Sequence, residues 1–348
     1  MVLPCSPGRK RLREFGLQIG LLPTGSAGAI TDVAGVTVGQ VTLVDDARKI
    51  RTGVTAILPR GTLGSAPCAA GAAILNGNGE MTGVMAIRRT GFLDAPILLT
   101  GTGNIGIVYQ AALEAIFPTR GNDTPPTPVA AECWDALGDI RGRHLAPEHV
   151  RESLRSAKPG PVVEGGVGGG AGMTSYGFKG GIGTSSRVVS RAHGGYTIGV
   201  IVNANHGARE QLLIEGVPVG SLLREYPSER KRSASSIVMI AATDAPLTSR
   251  QLERLALRMS MGLARTGSTA NTSSGDLMLA FSTAESGAAP LEDEGVTPLY
   301  QAVVESTEEA VLNALAMGGD VVGIDGKLCP ALPLDTVVTM LKSRGAIR

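Results

Sequence analysis

Aromatic residues are scarce in this 348-residue chain: one Trp, five Tyr and five Phe, 3% of the sequence. A stacking platform for bases or sugars is not expected from so few rings. An excess of one charge is missing too. The chain carries 32 Lys and Arg against 31 Asp and Glu, formal net charge +1, which argues against a nucleic-acid or polyanion binder. The four cysteines (Cys5, Cys68, Cys133, Cys329) form no CxxC and are too sparse for a disulfide framework, so reduced thiols are expected. The four histidines (His144, His149, His193, His206) build no HExxH or other ligand motif, so neither a metal nor a cofactor is expected. No apolar run reaches the roughly 18 residues of a membrane helix. Residues 1–16, MVLPCSPGRKRLREFG, are basic but lack the apolar stretch of a signal peptide. The expectation is a soluble, cytoplasmic protein with no membrane or nucleic-acid partner.

Glycine, in contrast, is abundant: 48 residues, about twice average usage. The glycines follow no collagen period, which assigns them to turns and close backbone approaches. With 43% hydrophobic and 18% charged residues the chain can bury a large core. The segment 28–44 reads as strand, turn at Gly35, strand, and 53–59 and 95–101 read as short buried strands. At 105–117 the period changes, with Ile105, Val108, Tyr109, Ala112 and Ile116 on one helical face. TRGNDTPPTP (119–128) is a surface loop, and 145–157 a polar helix with Pro147 in its first turn. Further on, 196–207 is a strand ending in a polar turn, 222–235 a charged loop and 236–246 a strongly apolar strand. The segment 247–266 is an amphipathic helix with Leu252, Leu255, Met259 and Leu263 on one stripe. A strand at 276–284 and helices at 299–318 and 333–345 close the chain. These pieces predict an α/β layered protein, with sheets packed on each other and helices outside.

Two glycine-rich stretches invite a ligand. GGVGGGAG (165–172) resembles a dinucleotide loop, but the residues after it are β-like rather than helical, so the nucleotide reading fails its context. The P-loop pattern GxxxxGK[ST] and the GxSxG elbow are both absent. NGNGEMTG (76–83) suits positive-φ turns, and its Glu80 is a surface glutamate or a ligand for an amine. The most informative feature is SASSIVMIAATDAP (233–246), where a serine stands between an exposed loop and a buried strand. In a self-processing hydrolase the chain cuts itself at such a junction. The serine released there carries a free α-amine, which titrates at roughly pH 7.7–8.0 and can act as its own general base. A serine before a strand is otherwise an ordinary feature.

The phrases NGNGEMTG, GTGNIG, AECWD, EGGVGGGAGMTSYGFKGGIGTSSR, IVMIAATDAPLTSRQLERLALRMSMGLARTGS and SSGDLMLAFSTA resemble, in order and from about Gly16 to Met340, the L-aminopeptidase/D-esterase family. Its members are self-processing N-terminal-serine aminopeptidases and include β-peptidyl aminopeptidases. The resemblance implies a four-layer αββα sandwich of the ornithine acetyltransferase type, like N-terminal-nucleophile hydrolases in architecture but not in connectivity. It implies one domain cut between Ser235 and Ser236 into 1–235 and 236–348. Ser236 is favoured as nucleophile because Ile237 begins the strand, although the Ser–Ser pair leaves a one-residue ambiguity. By the same resemblance Ser274 and Asp276 assist it and Asn205 donates to the oxyanion, with Asn203 as fallback. Glu132 holds the substrate's free amine, and Trp134 stands where a tyrosine is usual, without the phenolic hydroxyl. The implied partners are a small peptide, amide or ester with a free amino group, the chain's own cleaved fragment, and other αβ pairs, commonly four. Two rival readings are an acyltransferase of the shared fold, normally with a threonine nucleophile, and a non-enzymatic glycine-rich ligand-binding domain.

Overall fold

A computed structural model describes residues 8–119, 126–226 and 235–347. Along the chain come β1 (Thr37–Asp45), β2 (Ile50–Leu58), β3 (Cys68–Gly77), α1 (Val84–Thr90), β4 (Phe92–Leu93), β5 (Ile97–Gly101), α2 (Ile105–Ile116), β6 (Val129–Cys133) and α3 (Pro147–Arg155). A two-residue hairpin, β7 (Thr174–Ser175) and β8 (Phe178–Lys179), precedes β9 (Gly181–Val188), β10 (Thr197–Asn205), α4 (Val219–Leu222), β11 (Ser235–Thr243), α5 (Ser249–Arg265) and β12 (Ser274–Ser282). The chain closes with α6 (Thr297–Ala316), the short pair β13 (Val321–Val322) and β14 (Leu328–Cys329), and α7 (Leu334–Ser343).

The long strands form two sheets, one of four strands in the order β1-β2-β5-β6 and one of six in the order β4-β3-β12-β11-β10-β9. Helices α2 and α3 cover the first sheet, and α5 and α6 cover the second. Three hydrophobic clusters fill the three spaces between these four layers. Val54, Leu98 and Val108 lie between α2/α3 and the small sheet. Ile57, Leu99, Ile201, Val238 and Leu279 lie between the sheets. Met239, Met278, Leu255, Met259 and Val311 lie beneath α5 and α6. The αββα sandwich expected above is thus the architecture, and strand alternation produces it: along β11, Val238, Ile240 and Ala242 face the other sheet while Ile237, Met239 and Ala241 face the helices.

Local chemistry sets the element ends. Thr248 and Gln251 form a capping box, with the Thr248 hydroxyl accepting from the Gln251 N–H and the Gln251 side chain accepting from the Thr248 N–H, so α5 starts there. Its predicted stripe, Leu252, Leu255, Met259 and Leu263, is buried. One glycine shows why so many are needed: a Cβ at Gly183 on β9 would stand 1.9 Å from the carbonyl oxygen of Ala310, so α6 rests directly on the strand backbone. The segment before β1 departs from expectation. Residues 30–32 form a 3₁₀ turn instead of a strand. The Asp32 carboxylate accepts from the N–H groups of Ala27 and Ala29 at 2.8 and 3.0 Å, and this local bonding competes with a sheet ladder. The loop readings at 119–128 and 222–235 fall partly on 120–125 and 227–234, outside the described residues.

Candidate active site

The start of β11 lies between β10 on one side and β12 on the other. In register, Ser236 faces Asn205 across the antiparallel pair and Gly275 across the parallel one, and Ser235 faces Ser274. By alternation Ser236 shares the inter-sheet face with Val238, while Ser235 shares the helix face with Ile237. The two serines accordingly meet different partners. The Asn205 side-chain amide donates to Ser236 Oγ at 3.4 Å. Ser235 Oγ accepts from the Gly207 N–H at 3.4 Å. Both serines belong to the strand, which begins at Ser235 and not at Ile237. The strand start therefore does not separate them; the direction of the side chain does.

Asn205 is held in a defined orientation. Its Oδ1 accepts from the Thr174 N–H at 2.9 Å, which turns the amide nitrogen toward Ser236. Asn203, two residues earlier on the same face, donates instead to the Gly169 carbonyl at 3.3 Å. Both amides lie on β10 and not in a turn, and Asn205 is the one on Ser236. On β12 Ser274 Oγ donates to Asp276 Oδ1 at 2.9 Å, as their i, i+2 spacing allows. The other Asp276 oxygen is buried without a hydrogen-bond partner among the described residues. Burial pushes this carboxyl up, and the Ser274 hydrogen bond only partly offsets it.

Glu132 comes from the other sheet, at the end of β6. The Glu80 N–H donates to one of its oxygens at 3.1 Å, and the Thr102 hydroxyl donates to the other. Burial nevertheless raises its pKa, and among the described residues no cation bonds to it that would lower it. Glu80 itself is exposed, and its contribution to this contact is the backbone. The turn 76–80 links the two sheets: a Cβ at Gly79 would lie 3.3 Å from Glu132 Oε1 and 3.7 Å from Gly275 Cα. The amides of this turn clamp the start of β12, Asn78 donating to the Ser273 carbonyl at 2.7 Å and Asn76 to the Ser274 carbonyl. Trp134, 39% exposed, comes directly after β6.

Geometry adds residues that sequence reasoning missed. Cys133 alternates inward from Glu132, with its thiol beside the Ser236 hydroxyl and 3.4 Å from the Asn203 carbonyl. Burial pushes that thiol up, so it stays protonated and does not compete as a nucleophile. Asp135 is buried with one oxygen accepting from Thr52 and the other unpartnered, and burial raises it to about 6. Thr102 and Asn78 sit within phrases that carried the family resemblance, which was the available signal. Cys133 and Asp135 sit in such a phrase too, AECWD, but the place of the Cys133 thiol beside Ser236 depends on a contact between the sheets.

Among the described residues no group of three or more His, Cys, Asp or Glu side chains could hold a metal. What remains is a hydroxyl, an amide aimed at it, a serine–carboxylate pair beside the preceding peptide, and a buried carboxylate free of cations across the layer. That set suits acyl transfer with stabilisation of an oxyanion.

The sequence profile of Peptidase family S58 matches residues 28–329. The chain belongs to this peptidase family. It is 40% identical to the β-peptidyl aminopeptidase BapA of Sphingosinicella xenopeptidilytica, over 96% of this chain and 91% of that protein. Among solved structures, a β-aminopeptidase from Burkholderia sp. superimposes with a TM-score of 0.91 at 42% identity, covering 97% of this chain and 99% of that one. The L-aminopeptidase D-Ala-esterase/amidase from Ochrobactrum anthropi, described as a variant of the Ntn hydrolase fold, does so with 0.90 at 39% identity and the same coverage. The chain is a hydrolase, and the acyltransferase and non-enzymatic readings are not favoured. No helix among the described residues is long and apolar enough to cross a membrane.

Proposed function

We propose that the protein is a self-processing serine aminopeptidase whose nucleophile is Ser236, released as a new amino terminus by cleavage of the Ser235–Ser236 bond. In the first step Ser236 Oγ attacks the Ser235 carbonyl. The C–N bond breaks, an ester forms and the nitrogen becomes a free amine. Water then hydrolyses the ester to leave fragments 1–235 and 236–348. In turnover the same hydroxyl attacks the first carbonyl of a substrate with a free amino group, and the α-amine of Ser236 takes the proton and returns it to the leaving group. Asn205 donates to the oxyanion, and water resolves the acyl-enzyme. Ser274, in register with Ser235, and Asp276, on the same face in register with Ile237, stand where the new amine would emerge. An ammonium there would fill the empty hydrogen-bonding position on Asp276. Glu132 receives the substrate ammonium, the cation its buried site lacks, and Trp134 borders the approach.

The observation that carries this reading is the oriented Asn205 amide on Ser236 Oγ. Substrates are short peptides, amides or esters of L-, D- or β-amino acids, the range that the names of the relatives span. We also propose a cytoplasmic enzyme assembled from cleaved pairs, four of them by family resemblance. Cys68 and Cys133 are buried free thiols, in keeping with a reducing compartment. Substitution Ser236→Ala tests the reading: a folded, full-length chain of 35.6 kDa is expected, with activity down by about 10⁴-fold or more. A variant that still splits in two would assign the cut to another residue.

A further inference from the structure

Lys179, on β8, is fully buried and has no carboxylate among its hydrogen-bond partners. Its ammonium donates to three backbone carbonyls, those of Gly170 at 2.9 Å, Met173 at 3.0 Å and Gly180 at 2.8 Å. A buried cation is costly unless its hydrogen bonds are satisfied, and here three acceptors use all three of its protons. Burial lowers it to about 8, which still leaves it mostly cationic at neutral pH.

The Met173 carbonyl is the informative one. It shares a planar peptide unit with the Thr174 N–H, so a hydrogen bond to the carbonyl fixes the direction of the N–H. That N–H donates to Asn205 Oδ1, and Asn205 Nδ2 donates to Ser236 Oγ. The order is ammonium, peptide unit, side-chain amide, nucleophile. Amides bonded head to tail polarise one another, and a cation at the head makes each N–H further along a stronger donor. We infer that Lys179 is a positioning residue for the reaction, a buried cation whose charge is relayed through the Met173–Thr174 peptide and the Asn205 amide to strengthen the oxyanion donor. The inference rests on the role proposed for Asn205. It would also explain the fold's use of a lysine in the glycine-rich segment, where a neutral side chain would suffice to fill space.

Lys179→Gln tests it, because glutamine keeps two N–H donors for the turn and removes the charge; Lys179→Met, of similar length, removes both and is the second variant. Each is assayed after self-cleavage, with an aminoacyl anilide as substrate, an α-amino aldehyde as oxyanion-forming inhibitor and the free amino acid as product ligand. The expected result is a kcat and an aldehyde affinity that fall together by about tenfold, the worth of roughly one charge-assisted hydrogen bond. KM and product affinity stay within about twofold, self-cleavage slows by a factor similar to kcat, and Lys179→Met loses more. The inference is overturned if kcat and aldehyde affinity are unchanged in either folded variant. It is also overturned if product affinity falls in parallel, if a folded precursor never cleaves, or if neither variant folds, since Lys179 then only supports the turn. Ser236→Ala and Asn205→Ala read out the underlying function separately. Losses in those two beside an unaffected Lys179→Gln would overturn the relay alone.

Discussion

Two buried polar clusters sit at opposite ends of β10 and are built on opposite principles. At one end, where Ile198 pairs with Arg187, the Arg187 guanidinium is fully buried and donates to Glu305, Glu309, Ser185 and the Ile19 carbonyl. Burial pushes Glu309 up, but hydrogen bonds from Arg13 and the charge of Arg187 more than offset it, and the group lies below its ordinary range. Glu305 is lowered in the same way, its burial outweighed by the N–H groups of Leu21 and Leu22, by Gln301 and by Arg187. At the other end, around Ser236, Asp276, Asp135 and Glu132 are all raised by burial. Oxygens of Asp276, Asp135 and Asn203 lack partners among the described residues. The first cluster is complete within the fold and fastens α6 to the sheet. The second is incomplete, and the missing groups are cations of the kind that a new amino terminus and a substrate ammonium would supply. Between these two clusters, unpaired carboxylate oxygens mark the candidate site and ion-paired carboxylates mark the scaffold.

The sharpest way to break this contrast is Arg187→Met. It leaves Glu305 buried without a cation and Glu309 with Arg13 alone, and should cost about 3–5 kcal/mol of stability. Thermal unfolding reads that loss, while kcat per folded molecule should be unchanged; a fall in kcat at constant stability would merge the two clusters. Next comes Asn205→Ala, which should cost about 1–3 kcal/mol of stability through the stranded Thr174 N–H and reduce self-cleavage and kcat per folded molecule by about a hundredfold or more. Rates close to wild type would move the oxyanion role to another donor. Glu132→Gln should raise KM for substrates with a free amine by roughly tenfold or more, with little change in kcat, because it removes the carboxylate half of a buried ion pair. Since burial raises the Glu132 pKa, the site without substrate loses its charge as pH falls through values above the usual carboxylate range. KM should therefore rise on the acid side in the wild type and stay flat in the glutamine variant.

The last prediction concerns pH and His206, which abuts Asn205 in sequence and packs edge-on against Tyr176, with neither ring nitrogen hydrogen-bonded among the described residues. Burial lowers it to about 3. An unfolded chain takes up this proton near pH 6.5 and the folded one does not, so stability contributed by the neutral ring is present above about 6.5 and lost as pH falls toward 3. His206→Phe should flatten that part of the stability–pH curve. An unchanged slope would show that other groups set it.

Much of this was legible in the sequence where periodicity is local. The α5 stripe, the apolar strand after Ser236 and the layered architecture all derive from side-chain spacing. The segment before β1 was misread because the apolar pattern around Asp32 suits a strand, whereas its carboxylate bonds its own backbone. The candidate site was legible through the phrases shared with the family and not from the residues alone. A serine before a strand says little until Asn205 is seen opposite it. The partners of Glu132, the Cys133 thiol, the relay from Lys179 and the Arg187 cluster depend on contacts between residues far apart in the chain, which no local pattern encodes.

The central claim is that Ser236 becomes an amino terminus. Intact-mass measurement with amino-terminal sequencing of purified, active wild-type protein tests it directly. The account predicts two fragments, the smaller one beginning Ser-Ile-Val-Met at Ser236. Full activity in an unbroken chain, or a small fragment starting away from residue 236, would contradict it.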